Sequence, residues 1–256
     1  MRSRRWLLGV LGVAMAVSMV VSGVVSADHS WGGYHWASGG NPVELGLGDN
    51  VSGSWDEHLA VASGDWNQSS VLQTSIVAGQ ANVKNCRPDN GRIEVCSGSY
   101  GNNGWLGVAQ IWVRGEHIEK GSVRVNDFYF ALPAYDTPAW RQMVMCQEIG
   151  HIFGLDHQDE TFDNANLNTC MDYTSDPASN QHPNAHDYEE LEAIYEHLDS
   201  SGGGGGPPPW AGGPNRGSAP NDWGKLVRSS VDGGLARYEL DLGNGRKLIT
   251  FVIGAR

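Results

Sequence analysis

The sequence predicts an α+β fold, with strands and one helix first and two helices later. Val43, Leu45 and Leu47 alternate with polar or small residues, which is typical of a half-buried strand. Thr137 and Pro138 form a strong helix start, because a hydroxyl can cap the first turn and proline suits the first helical position. Since the later helical patterns follow most of the strand patterns, the order favours α+β over an alternating α/β fold.

Composition limits the classes of function. The 256 residues are 40% hydrophobic and include 10 tryptophans, which is enough for a packed core and excludes a fully disordered chain. Charged residues make up 18% and the net charge is -12, so no basic nucleic-acid-binding surface is expected. These values indicate a soluble, acidic globular protein without a nucleic-acid partner.

The N-terminus has the pattern of a secretory signal peptide. Three arginines precede an apolar run over residues 6–25, and residues 25–27 place small side chains where a signal peptidase reads them. We predict cleavage before Asp28, which makes residues 1–27 the signal and the mature protein secreted, without membrane contact. The alternative is a retained membrane anchor, since about 20 apolar residues can span a bilayer.

The four cysteines are Cys86, Cys96, Cys146 and Cys170, an even number that suits disulfides in an exported protein. Three connectivities are open to them. Cys86 and Cys96 flank a turn-rich stretch over 87–92 and could close a small loop, which would leave Cys146 with Cys170. Their spacing excludes a CxxC-type metal cluster.

Further elements fill the first half of the chain. A helix is predicted from an N-cap at Ser54 toward Asn67, with Glu57 as the acid of a capping box. Strands are predicted over 71–77, 107–113 and 122–125, and loops and tight turns between residues 86 and 104.

Two helices and a long loop follow. The helix that begins after Thr137 should run to Phe153 and end at Gly154. Residues 156–183 show no periodicity, and a last helix is predicted over about 184–198.

The C-terminal part has a different composition. Residues 201–209 form a Gly/Pro linker, and the segment 210–256 contains a clean alternation on both sides of a turn at 243–245. This pattern predicts a small β-hairpin, either docked on the main domain as an appendage or independent as a binding module.

The segment 147–157 contains the candidate functional residues. Gln147 and His151 are one helical turn apart and share a face, and Glu148 lies beside that face. Gly154 lets the backbone leave the helix in a left-handed conformation, so that His157 can return toward the same point. Two imidazoles with an adjacent carboxylate suit a divalent transition metal.

This segment resembles the zinc signature of the metzincin metallopeptidases, H-E-x-x-H-x-x-G-x-x-H followed by a Met-turn. Met171 fits the Met-turn position, and Tyr173 is similar to the tyrosine of astacins and serralysins that touches the metal or the oxyanion. The resemblance implies a metzincin-like domain over 28–200, with a twisted mixed sheet, an active-site helix, the Met-turn loop and a C-terminal helix.

The resemblance also implies a function, that of a secreted, monomeric zinc endopeptidase that acts on a peptide or protein substrate. The metal ligands would be Gln147, His151 and His157, and Glu148 would be the general base. Tyr173 would stabilise the oxyanion. The substrate would lie antiparallel to an edge strand, for which we select residues 107–113.

The first ligand position departs from the signature, because it holds Gln147 instead of histidine. An amide oxygen is a weaker donor to zinc than imidazole. Three interpretations follow: Gln147 ligates weakly, another residue such as Asp156, His182 or His186 replaces it, or the site is degenerate. The last interpretation describes a catalytically inactive secreted binding protein on a metzincin scaffold.

The resemblance places the Met-turn beneath the metal-bearing helix, so Cys146 and Cys170 should be neighbours. We hypothesise that a disulfide there preorganises the site and partly offsets the weaker ligand. The acids that follow the motif suggest an additional structural calcium ion, and the remaining histidines are expected on the surface. The acids are Asp156, Asp159 and Glu160, and these histidines are His29, His35, His58, His117 and His197.

Overall fold

The computed structural model describes residues 29–199 and 222–256. The predicted signal peptide over 1–27 and the linker over 201–209 lie outside these ranges, as do the proposed boundaries at residues 28, 200 and 210. The described part combines a few α-helices with one mixed β-sheet, which is compatible with the predicted α+β class.

Nine strands and four helices are present in these two ranges. The strands are β1 (His35–Trp36), β2 (Val43–Asn50), β3 (Leu72–Ala78), β4 (Ile93–Gly98), β5 (Trp105–Arg114), β6 (His117–Asn126), β7 (Lys225–Ser229), β8 (Leu235–Gly243) and β9 (Arg246–Gly254). The helices are α1 (Asp56–Trp66), α2 (Asp127–Phe130), α3 (Pro138–His151) and α4 (Ala185–Ile194), with a 3-10 turn at Pro177–Ser179.

The sheet has the order β3-β2-β4-β6-β5-β9-β8-β7, and β1 pairs with the first residues of β6. Strands β1 to β4 and β6 pair in parallel, whereas β5 and the three C-terminal strands pair antiparallel. The C-terminal hairpin therefore continues the main sheet through the β5–β9 pairing and does not form a separate body.

The strands predicted over 43–47, 71–77, 107–113 and 122–125 fall on β2, β3, β5 and β6. The prediction of loops from residue 86 to 104 is confirmed on both sides of β4 and is wrong over Ile93–Gly98, where β4 lies. This strand is buried on both faces, and a polar Glu94 at 1% exposure stands among its apolar residues. A doubly buried strand shows no alternation, so the sequence pattern that marks the other strands is missing.

The helix boundaries differ from the predictions in three places. Helix α1 has Trp55 as its N-cap residue and no side-chain capping hydrogen bond, so Ser54 lies outside the helix. Helix α3 ends at His151 rather than Phe153. Helix α4 ends at Ile194 rather than near residue 198, because the chain turns back and the Asp199 N–H donates to the carbonyl of Ser38.

The core lies between the sheet and the helices α1 and α3. Its largest buried side chains include Trp55, Trp66 and Phe153, none of which exposes more than 1% of its surface. The Trp66 indole donates to the carbonyl of Cys146 in α3, so the two helices are joined by packing and by a hydrogen bond. This packing fixes α3 against β5, which positions the site described next.

Candidate metal centre

Helix α3 carries the first part of the site. Thr137 is its N-cap, and the Thr137 hydroxyl accepts a hydrogen bond from the Trp140 amide at 3.2 Å, as the sequence predicts. The helix is buried from Gln142 to its end, so Gln147, Glu148 and His151 are each 0–1% exposed. Polar groups buried to this degree need a partner, either within the protein or from a ligand.

The two motif histidines converge. Their Nε2 atoms are 3.1 Å apart. The chain makes this approach possible at Gly154, which has φ +105° and where a Cβ would lie 2.1 Å from the carbonyl oxygen of Tyr34. Because both the backbone angle and the contact require glycine, His157 returns to the end of α3 as the sequence predicts.

The second nitrogen of each ring is also oriented. His151 Nδ1 lies 2.8 Å from the Leu155 carbonyl, to which it donates, so its Nε2 is the bare nitrogen of the neutral ring. His157 Nδ1 faces Asp156 and Glu160 at 3.4 and 3.7 Å. A carbonyl behind one imidazole and carboxylates behind the other are the arrangement that orients histidine ligands toward zinc.

Without a metal, the pKa values of the two imidazoles are shifted in opposite directions. Burial opposes the charged form of both rings, but the carboxylates of Asp156 and Glu160 beside Nδ1 outweigh burial and raise the pKa of His157 to about 9. For His151, burial and the positive charge of His157 lower the pKa to about 3. His157 therefore holds the proton and donates it toward the bare Nε2 of His151.

Gln147 and Glu148 have buried polar atoms that the protein leaves unmatched. Neither amide atom of Gln147 has a hydrogen-bond partner among the described residues. Burial raises the pKa of Glu148 well above its usual value, and the charges of His157 and Arg124 offset only part of this effect. The Ala109 amide lies near the Glu148 carboxylate and also lowers its pKa to some extent. It does not form a hydrogen bond of normal geometry with either carboxylate oxygen.

These groups fit a zinc ion. Tetrahedral ligands at about 2.0–2.1 Å from zinc are about 3.3 Å apart, close to the 3.1 Å between the two Nε2 atoms. The unmatched amide oxygen of Gln147 lies one turn earlier on the same helix face. A cation there would also match the buried carboxylate of Glu148.

Met171 lies beneath the helix. A Cβ at Gly150 would be 2.6 Å from the Met171 sulfur and 2.7 Å from the Trp66 ring, so only glycine lets the methionine pack there. The disulfide Cys146–Cys170 joins α3 to the Met171 segment, and Cys86–Cys96 closes the small loop. Both disulfides predicted from the sequence are present.

Tyr173 contacts residues that lie outside the helix site. Its ring lies 4.8 Å from that of Phe162, and the Arg256 guanidinium is 5.7 Å from its centroid. Its hydroxyl packs against Gly234, the residue before β8. The structure thus brings Gln147, Glu148 and the histidines onto one helix end, and it places Tyr173 against the C-terminal strands.

The alternative ligands are distributed differently. Asp156 is next to His157 but faces Nδ1, on the side away from His151. His182 is paired with Asp65 at 2.7 Å, and His186 lies near Glu189 on α4. Among these three residues, only Asp156 therefore borders the histidine pair.

The acids considered for calcium are partly neutralised by arginines. Arg228 of β7 contacts Glu160 at 3.1 Å and Asp156 at 3.4 Å, and Arg237 of β8 contacts Asp156 at 3.5 Å. Two guanidinium groups in this position oppose the binding of a second cation.

Strand β9 covers the site. It pairs with β5 over Trp105–Arg114, so the choice of residues 107–113 as a free edge for substrate is wrong in this conformation. The Phe251 ring stacks on His151, with centroids 4.1 Å apart and an interplanar angle of 7°. The edge was misassigned because strand order depends on long-range pairing, which the alternation within a single strand does not reveal.

The sequence analysis also missed a second group of histidines. His35 is 3% exposed instead of on the surface, and it lies with His117, His197 and Asp199. His29 is likewise buried and is paired with Asp187. The only local signal was the His-x-Asp spacing of 197 and 199, since the other members come from distant parts of the chain.

Comparison with known proteins gives distant structural neighbours and no sequence match. High choriolytic enzyme 1, a hatching enzyme zinc-protease from Oryzias latipes (medaka fish), is similar in structure, with a TM-score of 0.36 and 12% identity. The alignment covers 65% of this chain and 96% of that chain. No family model and no curated protein match the sequence. At this level of similarity, only the residues of this chain can identify the chemistry of its site.

No helix within 29–199 and 222–256 is long and apolar enough to cross a membrane. The two disulfides are compatible with an extracellular location.

Proposed function

We propose that this chain is a secreted zinc-dependent endopeptidase. One observation carries the proposal: the Nε2 atoms of His151 and His157 converge to 3.1 Å at the end of a helix that also buries Glu148. A helix that served only the core would gain nothing from burying two imidazoles, an amide and a carboxylate at one end.

His151 and His157 would hold the ion through Nε2, and the Gln147 amide oxygen would be the third ligand. A bound zinc ion lowers the pKa of water and polarises a peptide carbonyl. The carbonyl of Leu155 behind His151 and the carboxylates behind His157 keep both rings oriented for this role.

Glu148 would act as the general base. It would take the proton of the attacking water on its carboxylate and then deliver it to the departing amine. Its side chain lies against β5, where a Cβ at Gly107 would be 2.5 Å from Glu148 Oε1. Glycine at 107 thus leaves room for the base, and a nearby cation would favour the ionised form that the reaction needs.

Tyr173 is proposed to stabilise the oxyanion of the attacked carbonyl. This role requires that its hydroxyl move from the contact with Gly234, and so it depends on displacement of the C-terminal strands. The proposed substrate is a peptide or protein, and the mature protein is proposed to act as a monomer outside the cell.

The test is a general protease assay with zinc analysis on the wild type and on Glu148→Gln. Glutamine keeps the size of the side chain, and burial disfavours a charge at this position, so we expect the fold and the zinc content to persist. Cleavage should fall about 100- to 10,000-fold, the usual range for loss of a general base. Glu57→Gln, an exposed change on α1, is the matched control.

Equal cleavage by wild type and Glu148→Gln would contradict the assignment of the base. A wild-type protein that neither binds zinc nor cleaves would favour the alternative, a non-catalytic binding protein on the same scaffold.

A further inference from the structure

A second histidine cluster joins three separate parts of the chain. His35 lies on β1 and His117 begins β6, and the two are register partners in the parallel pairing of these strands. His197 and Asp199 follow α4. None of these residues belongs to the site described above, so the cluster is independent of the proposed peptidase chemistry.

His35, His117 and Asp199 each offer a ligand atom within 4.8 Å of the other two, and His197 lies beside this group. His35 Nε2 is 3.2 Å from His197 Nε2, and His117 Nε2 is 2.9 Å from Asp199 Oδ1. Asp199 Oδ1 lies 3.7 Å from His35 Nε2 and 4.0 Å from His197 Nε2. Four ligands in a tetrahedron around zinc are about 3.3 Å apart, and these four of the six separations bracket that value.

The surroundings orient the ligands. His35 Nδ1 is 2.8 Å from the Gly33 carbonyl, which can only accept, so the bare nitrogen of the neutral ring is Nε2, the atom that faces the cluster. Asp199 Oδ2 accepts a hydrogen bond from the Ser38 amide at 2.8 Å, which leaves Oδ1 free to face the histidines. Such outer hydrogen bonds are typical of metal ligands.

We propose that His35, His117, His197 and Asp199 bind a zinc ion in a four-coordinate structural site. Three neutral imidazoles and one carboxylate fill the tetrahedron, so no position is left for a reacting water. The ion would tie the segment after α4 to β1 and to the start of β6, three regions that are distant in sequence.

The test measures zinc per chain in the purified full-length mature protein and in a His117→Ala/His197→Ala double variant. The two rings are 42% and 51% exposed, so their removal should not unfold the protein. We expect the double variant to lose about one zinc ion per chain, since two of four ligands are missing. His182→Ala is the matched control, because it removes an exposed histidine that is also paired with an aspartate.

A cobalt-substituted sample gives a second measurement. In the double variant, the four-coordinate visible absorption should fall to the part that comes from the helix site with His151 and His157, whereas the control should keep the full intensity. Equal zinc content and equal spectra for the double variant and the control would overturn the proposal, whether or not the protein cleaves peptides.

A different observation supports a second inference, which rests on the proposed function. We infer that strands β7–β9 hold the peptidase in a closed state. An extended peptide binds to such a sheet by adding a strand to its edge, and β9 already occupies the antiparallel position beside β5. Opposite Ala109 in this pairing is Phe251, which covers the face of His151.

Ion pairs also hold strands β7 and β8 against the site. Arg228 and Arg237 contact Asp156, and Arg228 also contacts Glu160. These are the carboxylates behind His157. A substrate must therefore displace both the Phe251 ring and the arginine contacts before it can reach the histidine pair.

The test compares peptide cleavage by full-length wild type, Phe251→Ala and an Arg228→Ala/Arg237→Ala double variant. Each change weakens the closed state, and we expect cleavage to rise about 5- to 10-fold. Lys225→Ala, an exposed change on β7, should leave it unchanged. Hydrogen exchange of the β9 amides, measured on the same samples, reports release of the strand directly.

Three outcomes are distinct. Higher cleavage together with faster β9 exchange supports the closed state. Wild type that cleaves as fast as variants with released β9 overturns it but leaves the proposed function intact. If β9 is released and no sample cleaves, both the closed state and the proposed peptidase function fail.

Discussion

The two histidine clusters of this protein are built in opposite ways. The helix cluster takes His151 and His157 from one helix end and the turn after it, and both are at most 9% exposed. The surface cluster collects His35, His117 and His197 from three separate segments. The contrast teaches that a spacing rule detects a site built on one element and overlooks a site built between elements.

The two clusters also differ in whether their polar groups have partners. The helix cluster leaves the amide of Gln147 and the carboxylate of Glu148 unmatched, which is the condition expected of a site that awaits a ligand and does chemistry. In the surface cluster, four ligand groups already face one another. We therefore expect an open coordination position in the first cluster and a closed one in the second.

The largest expected effect is that of His151→Ala, which would separate the two clusters functionally. Cleavage should fall at least about 1,000-fold, because a catalytic metal supplies several kcal/mol of transition-state stabilisation. Zinc analysis should show that the surface cluster keeps its ion. His58→Ala serves as the control, because it removes a histidine that contacts Gln142 and Trp55 and is in neither cluster. Loss of all zinc in His151→Ala would break the comparison, because it would mean that the clusters depend on each other.

A smaller effect is expected from Cys146→Ser/Cys170→Ser. Loss of this loop constraint should cost about 3 kcal/mol in the free energy of unfolding, measured by denaturant titration. Cys86→Ser/Cys96→Ser is the control, because it opens a shorter loop at a similar cost. Only the first pair touches the helix cluster, so only its removal should speed zinc loss to a chelator. Equal zinc retention by both variants would refute the hypothesis that Cys146–Cys170 preorganises the site.

The smallest effect concerns Gln147→His, which makes the helix cluster more like the surface cluster. Imidazole is a better zinc ligand than an amide, so zinc affinity should rise about 10-fold in chelator competition. Gln142→His, on the same buried helix but outside the proposed ligand set, is the control. An unchanged affinity would show that residue 147 does not face the metal.

Much of the fold could be predicted from the sequence, and the errors have physical causes. Strands with one buried face gave alternating patterns, and the Thr137 cap marked the start of α3 correctly. Strand β4 was missed because both of its faces are buried. The end of α4 was misplaced because a contact between Asp199 and Ser38, not a local stop signal, turns the chain.

The features of the candidate site were likewise predictable where they are local in sequence and were missed where they depend on distant segments. The approach of His151 and His157 and the left-handed Gly154 followed from spacing. Spacing left three cysteine connectivities open, and the proximity of Cys146 to Cys170 was implied by the metzincin resemblance. The cover formed by Phe251 did not, because it depends on which strand pairs with β5, and such pairing is chosen by the whole sheet.

By itself, the sequence determined the chemistry available at the helix cluster, because helix periodicity and a glycine turn fix the positions of side chains within a few residues. Only the tertiary structure decided that β9 closes this cluster and that His35, His117 and His197 meet Asp199. The reason is that contacts between distant segments depend on how the whole chain packs, and no short stretch of sequence contains that information.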